Sequence, residues 1–250
     1  MLRYTGETDA TVWVETDAAC VVEVLGCTAP TFCVHGHHYA LVHVEGLQKG
    51  SSTPYEVLLD GEKVWPLPDS PFPPSVIRTP VAGDRTVIAF GSCRVCAPNE
   101  PPHTLRKDED PEGREVDALR ALAMRMAGDA DEEWPHLLIM LGDQVYADEV
   151  PPAMCDFIKS RRDPEVPPGE TIADFEEYTR LYRESWSEPH IRWLLSTVPT
   201  AMIFDDHDII DDWNTSATWV RRMRGTGWWD DRITGGLMTY WIYQHIGNLA

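Results

Sequence analysis

Basic residues are scarce in this chain. It carries 21 Lys and Arg against 41 Asp and Glu, a formal charge of −20. A protein that grips nucleic acid by neutralising phosphates needs the opposite balance, so no nucleic-acid-binding surface is expected. No apolar stretch approaches the roughly 20 residues needed to cross a bilayer, so no membrane segment is expected either. The start, Met1-Leu2-Arg3-Tyr4, lacks the apolar core of a signal peptide and has no paired arginines, which points to a cytoplasmic location. Of six cysteines, Cys93 and Cys96 form one C-x-x-C, and no second pair exists to complete a four-thiolate zinc site. Without a secretory signal, reduced thiols are expected.

What is present divides in two. Residues 1–79 read as all-β: runs at 10–14, 20–25, 31–36, 39–47, 54–61 and 62–66 recur at the spacing of a sandwich. Asp60-Gly61 signals a hairpin. Residues 67–75 hold four prolines in nine positions and read as a stiff extended linker, which would leave the β module able to fold alone. Residues 80–250 read as an α/β domain. Asp110-Pro111-Glu112 looks like a helix start ahead of Leu119, Leu122, Ala123 and Met126. Thr171-x-x-Asp174 resembles a capping box before Phe175, Tyr178, Leu181 and Tyr182. A helical stripe from Met238 to Leu249 runs to the end of the chain without a stop signal.

Three apolar runs carry the chemistry: TVIAFGSC (86–93), HLLIMLGD (136–143) and VPTAMIFDDHD (198–208). Short continuous apolar runs suit strands buried on both faces of a parallel sheet, and ligands in such sheets sit beyond the strand carboxyl ends. The runs would therefore deliver Cys93, Asp143, Asp206 and His207 to one crevice. In GDQVYAD, a helical arc after the strand would put Asp143 and Tyr146 on one face, with Asp148 close behind; a capping Asp beside a packing Tyr is the plainer alternative. Asp205, Asp206 and Asp208 surround His207, and adjacent carboxylates in a crevice call for a cation. His207 can ligate metal or pass a proton to a leaving alkoxide. A thiolate at Cys93 favours a transition metal over magnesium or calcium, although an isolated thiol of this kind is more often structural. His35, His37 and His38 fit strand-edge histidines, and Trp228-Trp229-Asp230-Asp231 either walls the crevice or packs, packing being the plainer reading.

Taken together, FGSCR, LIMLGDQVYAD and MIFDDHDIIDDWN resemble the PhoD-like alkaline phosphatase/phosphodiesterase family of metallophosphatases, over nearly the whole chain. LRYTGETDATVWVET is similar to that family's N-terminal sandwich, and LQKGSSTPY resembles the corner of a fibronectin type III-like module. The resemblance implies a four-layer αββα metallophosphatase domain behind the small sandwich, holding a ferric ion (Fe3+) with calcium (Ca2+). It implies Cys93 and Tyr146 on the iron, Asp143 bridging the metals, and Asp206 on the second metal and the substrate. His207 would be the proton donor or substrate-orienting histidine. The activity implied is hydrolysis of a small phosphoester, mono- or diester, by in-line attack of a metal-held hydroxide. Asp208 stands where the family usually has Glu, a change expected to be harmless.

The family's distal histidine ligands have no counterpart before Ala250. The chain is therefore expected to be the N-terminal part of a longer domain, to bind metal weakly, and to leave an apolar sheet face open. Family members are often exported. Two other readings stand beside this one: a catalytically inactive fragment that binds metal or a partner, and a metallohydrolase of a different class.

Overall fold

The computed structural model describes residues 1–128 and 133–248. Nine strands fall in the first 65 residues: β1 (Leu2–Thr5), β2 (Asp9–Thr16), β3 (Val21–Val24), β4 (Cys27–Pro30), β5 (Phe32–Val34), β6 (His37–Glu45), β7 (Ser52–Pro54), β8 (Val57–Leu59) and β9 (Glu62–Trp65). They form two antiparallel sheets, β1-β2-β6-β5 and β4-β3-β8-β9, while β7 pairs with β10 (Val76–Arg78). Alternate residues of facing strands (Val12, Val42 and Val44 from one sheet, Val22, Val24 and Val57 from the other) bury a common core. Asp60 and Gly61 both take positive φ and turn β8 into β9, as the hairpin signal requires.

The α/β half contains β11 (Ile88–Gly91), α1 (Ala118–Gly128), β12 (Leu137–Leu141), α2 (Pro152–Arg161), α3 (Phe175–Trp186), α4 (Pro189–Thr197), β13 (Thr200–Ile203), α5 (Ala217–Arg224) and α6 (Trp229–Thr239). A six-residue π-helical turn, Tyr240–His245, follows α6. The three strands are parallel in the order β11-β12-β13, so the three apolar runs lie side by side.

The expectation of burial on both faces does not hold. Leu138, Met140, Thr200 and Met202 are buried, whereas Ile88, Phe90, Leu141 and Ile203 on the opposite face are 47%, 74%, 48% and 52% exposed. The buried side joins a core with α1, α3 and α4; nothing among the described residues covers the other.

Two helix starts differ from expectation. After Asp110 the chain turns instead of coiling: Gly113 N–H bonds Asp110 O at 2.9 Å and Glu115 takes a positive φ, which a helix excludes. Asp117 is the cap, its Oδ1 accepting the N–H groups of Leu119 and Arg120. For α3 the cap is Asp174 rather than Thr171, its side chain accepting Glu177 N–H at 2.9 Å. Thr171 instead receives Arg232 Nη1 at 2.8 Å. The last part of the terminal stripe, Leu249, lies outside the described residues.

The two halves are fastened together. The outer face of the β2–β6 pair puts Trp13 and Tyr39 into the α/β core, against Tyr243. Arg3, 1% exposed, gives Nη1 to Tyr243 O and Nη2 to Gln244 O and Asn248 Oδ1. Tyr55 OH donates to Ser196 O at 2.6 Å, and Phe72 stacks on Trp193. The proline-rich segment is thus laid against α4 rather than spanning solvent.

Candidate metal centre

At the carboxyl ends of β11 and β12 the backbone turns sharply. Cys93 and Asp143 both adopt left-handed φ, of 59° and 50°, a conformation that costs energy in a non-glycine residue and clusters at functional sites. Gly142 precedes Asp143 at φ 117°, and a Cβ there would lie 2.6 Å from Asp205 Cβ. Only glycine lets the second and third strand exits approach this closely. The exits of β11 and β12 also stay in register, Cys93 N–H bonding Gly142 O and Arg94 N–H bonding Asp143 O.

No helical arc follows Asp143. The 143–148 segment is an irregular loop stitched to the DDHD segment, with Val145 N–H on Asp208 Oδ1 and Ala147 N–H on His207 O. Asp206–Asp208 forms a single 3-10 turn capped by Asp205, and Asp208 Oδ2 accepts the N–H of Asp205 at 3.0 Å. Asp208 is a buried structural acid, and it also takes Gln244 Nε2 at 3.0 Å. Burial pushes its pKa up to about 7, against the pull of the backbone donors of Asp205 and Val145.

Donor atoms of Asp143, Asp206 and His207 lie within 4.8 Å of one another, and those of Asp206, Asp211 and Asp212 do likewise. Burial raises the Asp143 carboxyl, with Asp205 and Asp206 adding to the rise against a hydrogen bond from Cys93 and the charge of His207. Tyr146 is raised as well, by burial first and then by Asp143 and Cys93. Cys93 thus acts electrostatically on both Asp143 and Tyr146, but the donors that come together are those of Asp143, Asp206 and His207; the Cys93 thiol is outside that group and lies 3.3 Å from Ser92 Oγ. A buried, raised carboxylate among further acids, a thiol and a phenol suits cation binding, because a cation relieves the repulsion that otherwise favours protonation.

His207 is oriented by Asp148, whose two oxygens lie 3.0 and 3.1 Å from Nδ1. A carboxylate only accepts, so Nδ1 carries the proton, while Nε2 faces Asp211 Oδ1 at 3.6 Å. Burial pulls the imidazole pKa down, but Asp148, Asp143 and Asp206 together raise it above the ordinary value. Tyr146 stacks on the ring at 4.5 Å between centroids. Asp148 had only its spacing after Tyr146 to mark it. Gln244, holding Asp208 from a distant π turn, had no signal in sequence. The H-x-H-H histidines stand apart from this cluster, His37 bonding Glu176 at 2.7 Å.

The fold and this crevice define an α/β chain that gathers acidic groups able to hold a cation at its strand ends. Residues 118–246, just over half of the chain, match the family model described as PhoD-like phosphatase, and the chain belongs to that family. Residues 1–77 match a model described as a domain of unknown function, DUF7800, in place of the expected fibronectin type III-like assignment. Cys93 lies between the two matched segments. A solved structure titled "Structure of PhoD" matches all of this chain at TM-score 0.58 and 14% identity, which shows a shared fold. This chain spans 45% of that one. No curated protein matches the chain. The matched family is described as a phosphatase, and the acidic groups at the strand ends are of the kind that can hold a metal ion. Among the described residues no helix is long and apolar enough to cross a membrane.

Proposed function

We propose that this chain carries the metal crevice of a phosphoester hydrolase acting on small mono- or diesters. The observation that carries the reading is the meeting of Asp143, Asp206 and His207 donors within 4.8 Å at adjacent parallel strand ends. In this reading Cys93 and Tyr146 would hold a ferric ion, since a thiolate selects a transition metal. Asp143 and Asp206 would hold a harder ion such as calcium. Such cations would supply positive charge for the phosphate oxygens and lower the pKa of a water. His207, fixed through Nδ1 by Asp148, gives its Nε2 proton to the departing alkoxide. The four-layer arrangement expected for the family is consistent with the uncovered apolar face of β11-β12-β13.

The test is metal analysis, visible spectroscopy and ester hydrolysis on three variants. Asp143→Asn should lose metal and activity together. His207→Ala should keep metal and lose turnover, most for poor leaving groups, by about 100-fold or more. Tyr146→Phe should shift the ferric charge-transfer band without unfolding the protein. Retention of metal and turnover in Asp143→Asn would sink the reading; loss of metal in His207→Ala would reassign His207 as a ligand.

A further inference from the structure

Beside the crevice lies a cavity of about 460 Å³, within the ~300–1,000 Å³ range of small-molecule sites. Its wall includes Asp148, Pro167, Pro168, Ile210, Trp228 and Arg232. Two of these connect it to the site. Asp148 holds His207 Nδ1 with one oxygen and Asp211 N–H with the other, at 3.0 and 2.7 Å. Ile210 sits three residues beyond His207 and bonds Asp206 O through its N–H. The cavity and the crevice therefore share Asp148 as a common wall.

Resting on the phosphoester reading, we propose that the cavity binds the organic group of the ester, and that this group is an uncharged aryl. The Trp228 ring, two proline rings and Ile210 supply flat apolar surface for it. Asp148 and the exposed Glu165 stand on the wall and repel an anionic group. Arg232 repels a cationic one, and its guanidinium already covers the Trp228 ring at 5.5 Å. Arg232 is 1% exposed, with Nε on Ile209 O and Nη1 on Thr171 Oγ1. The guanidinium also interacts with the buried Tyr178 hydroxyl, which fixes it as a rigid wall of the cavity.

The experiment titrates the metal-loaded chain with phenylphosphonate, methylphosphonate and phenol, following isotope-labelled indole N–H signals. Trp228→Phe identifies the Trp228 signal by its loss. Phenylphosphonate and phenol should move that signal and methylphosphonate should not. Phenylphosphonate should also bind about fivefold more tightly than methylphosphonate. That advantage should vanish in Trp228→Ala and persist in Trp228→Phe; if the alanine variant does not fold, Trp228→Leu carries the same expectation. Failure of phenol to move the Trp228 signal overturns the proposal, as does equal affinity for the two phosphonates. If phenol moves the signal but neither phosphonate binds, the cavity stands and the phosphoester reading falls.

Discussion

The antiparallel β2–β6 pair and the parallel β11-β12-β13 sheet exchange the burial that their sequences announce. The parallel runs are continuously apolar, the pattern of strands covered on both sides, yet Phe90 and Ile203 stand 74% and 52% exposed while Met140 and Met202 are buried. The β2–β6 pair alternates as if one face met water. Its outer face instead holds Trp13 and Tyr39, 6% and 0% exposed, against the α/β core. A hydrophobic pattern records what a strand could bury. The partner that buries it is a separate fact, set here by a neighbouring domain.

The largest test of this contrast is Arg3, which ties the sandwich to the π turn. Arg3→Ala leaves the carbonyls of Tyr243 and Gln244 without their buried partner and should cost about 3 kcal/mol or more. Denaturant unfolding should stay a single transition that moves as a whole; two separate transitions would mean that the halves are merely adjacent. Next comes Gly142→Ala, which adds a Cβ 2.6 Å from that of Asp205 at a left-handed φ. A loss of about 2 kcal/mol with a fall in bound metal is expected, because the second and third strand exits must separate. Unchanged metal content would show that the exits need not touch.

Asp174→Ala removes the cap of α3, the helix whose Tyr182 and Trp186 receive Tyr243, at about 1 kcal/mol. Burial alone would raise Asp174, but Arg161 and the N–H of Glu177 together hold its pKa below the ordinary carboxylate value. Its contribution should therefore be complete above about pH 4 and fade as pH falls through the lower folded value. The variant's stability deficit, measured by thermal melts across this range, should shrink toward acid. The smallest effect is expected on the open face. Phe90→Ser should change stability by less than about 0.5 kcal/mol while reducing self-association in light scattering. A large loss would show that the face is covered in solution.

Much of the site was legible because strand exits are written locally: an apolar run, then glycine or acid, then a ligand type. Cys93, Asp143, Asp206 and His207 needed no more than that, and β11, β12 and β13 adjoin as the shared pattern implied. Tyr146 stacks on His207 by a route other than the one expected, since an irregular loop and not a helical arc carries it there. The start of α1 was misread because Asp-Pro-Glu suits a turn as well as a cap, and the left-handed Glu115 decides for the turn. Gln244 and Arg3 were invisible, because their importance comes from partners 36 and 241 residues away.

Arg3 also bears on how such a protein can change over generations. Two of its acceptors are main-chain carbonyls, of Tyr243 and Gln244, which every amino acid supplies. Substitution at those two positions therefore cannot remove those acceptors, while replacement of the arginine removes the donors at once. Recombination that brought in a foreign sandwich would need an arginine on the first strand, within reach of that turn. Trp13, Tyr39, Tyr55 and Phe72 complete the joint through their own side chains, so it is inherited as a small set of positions of which Arg3 is one.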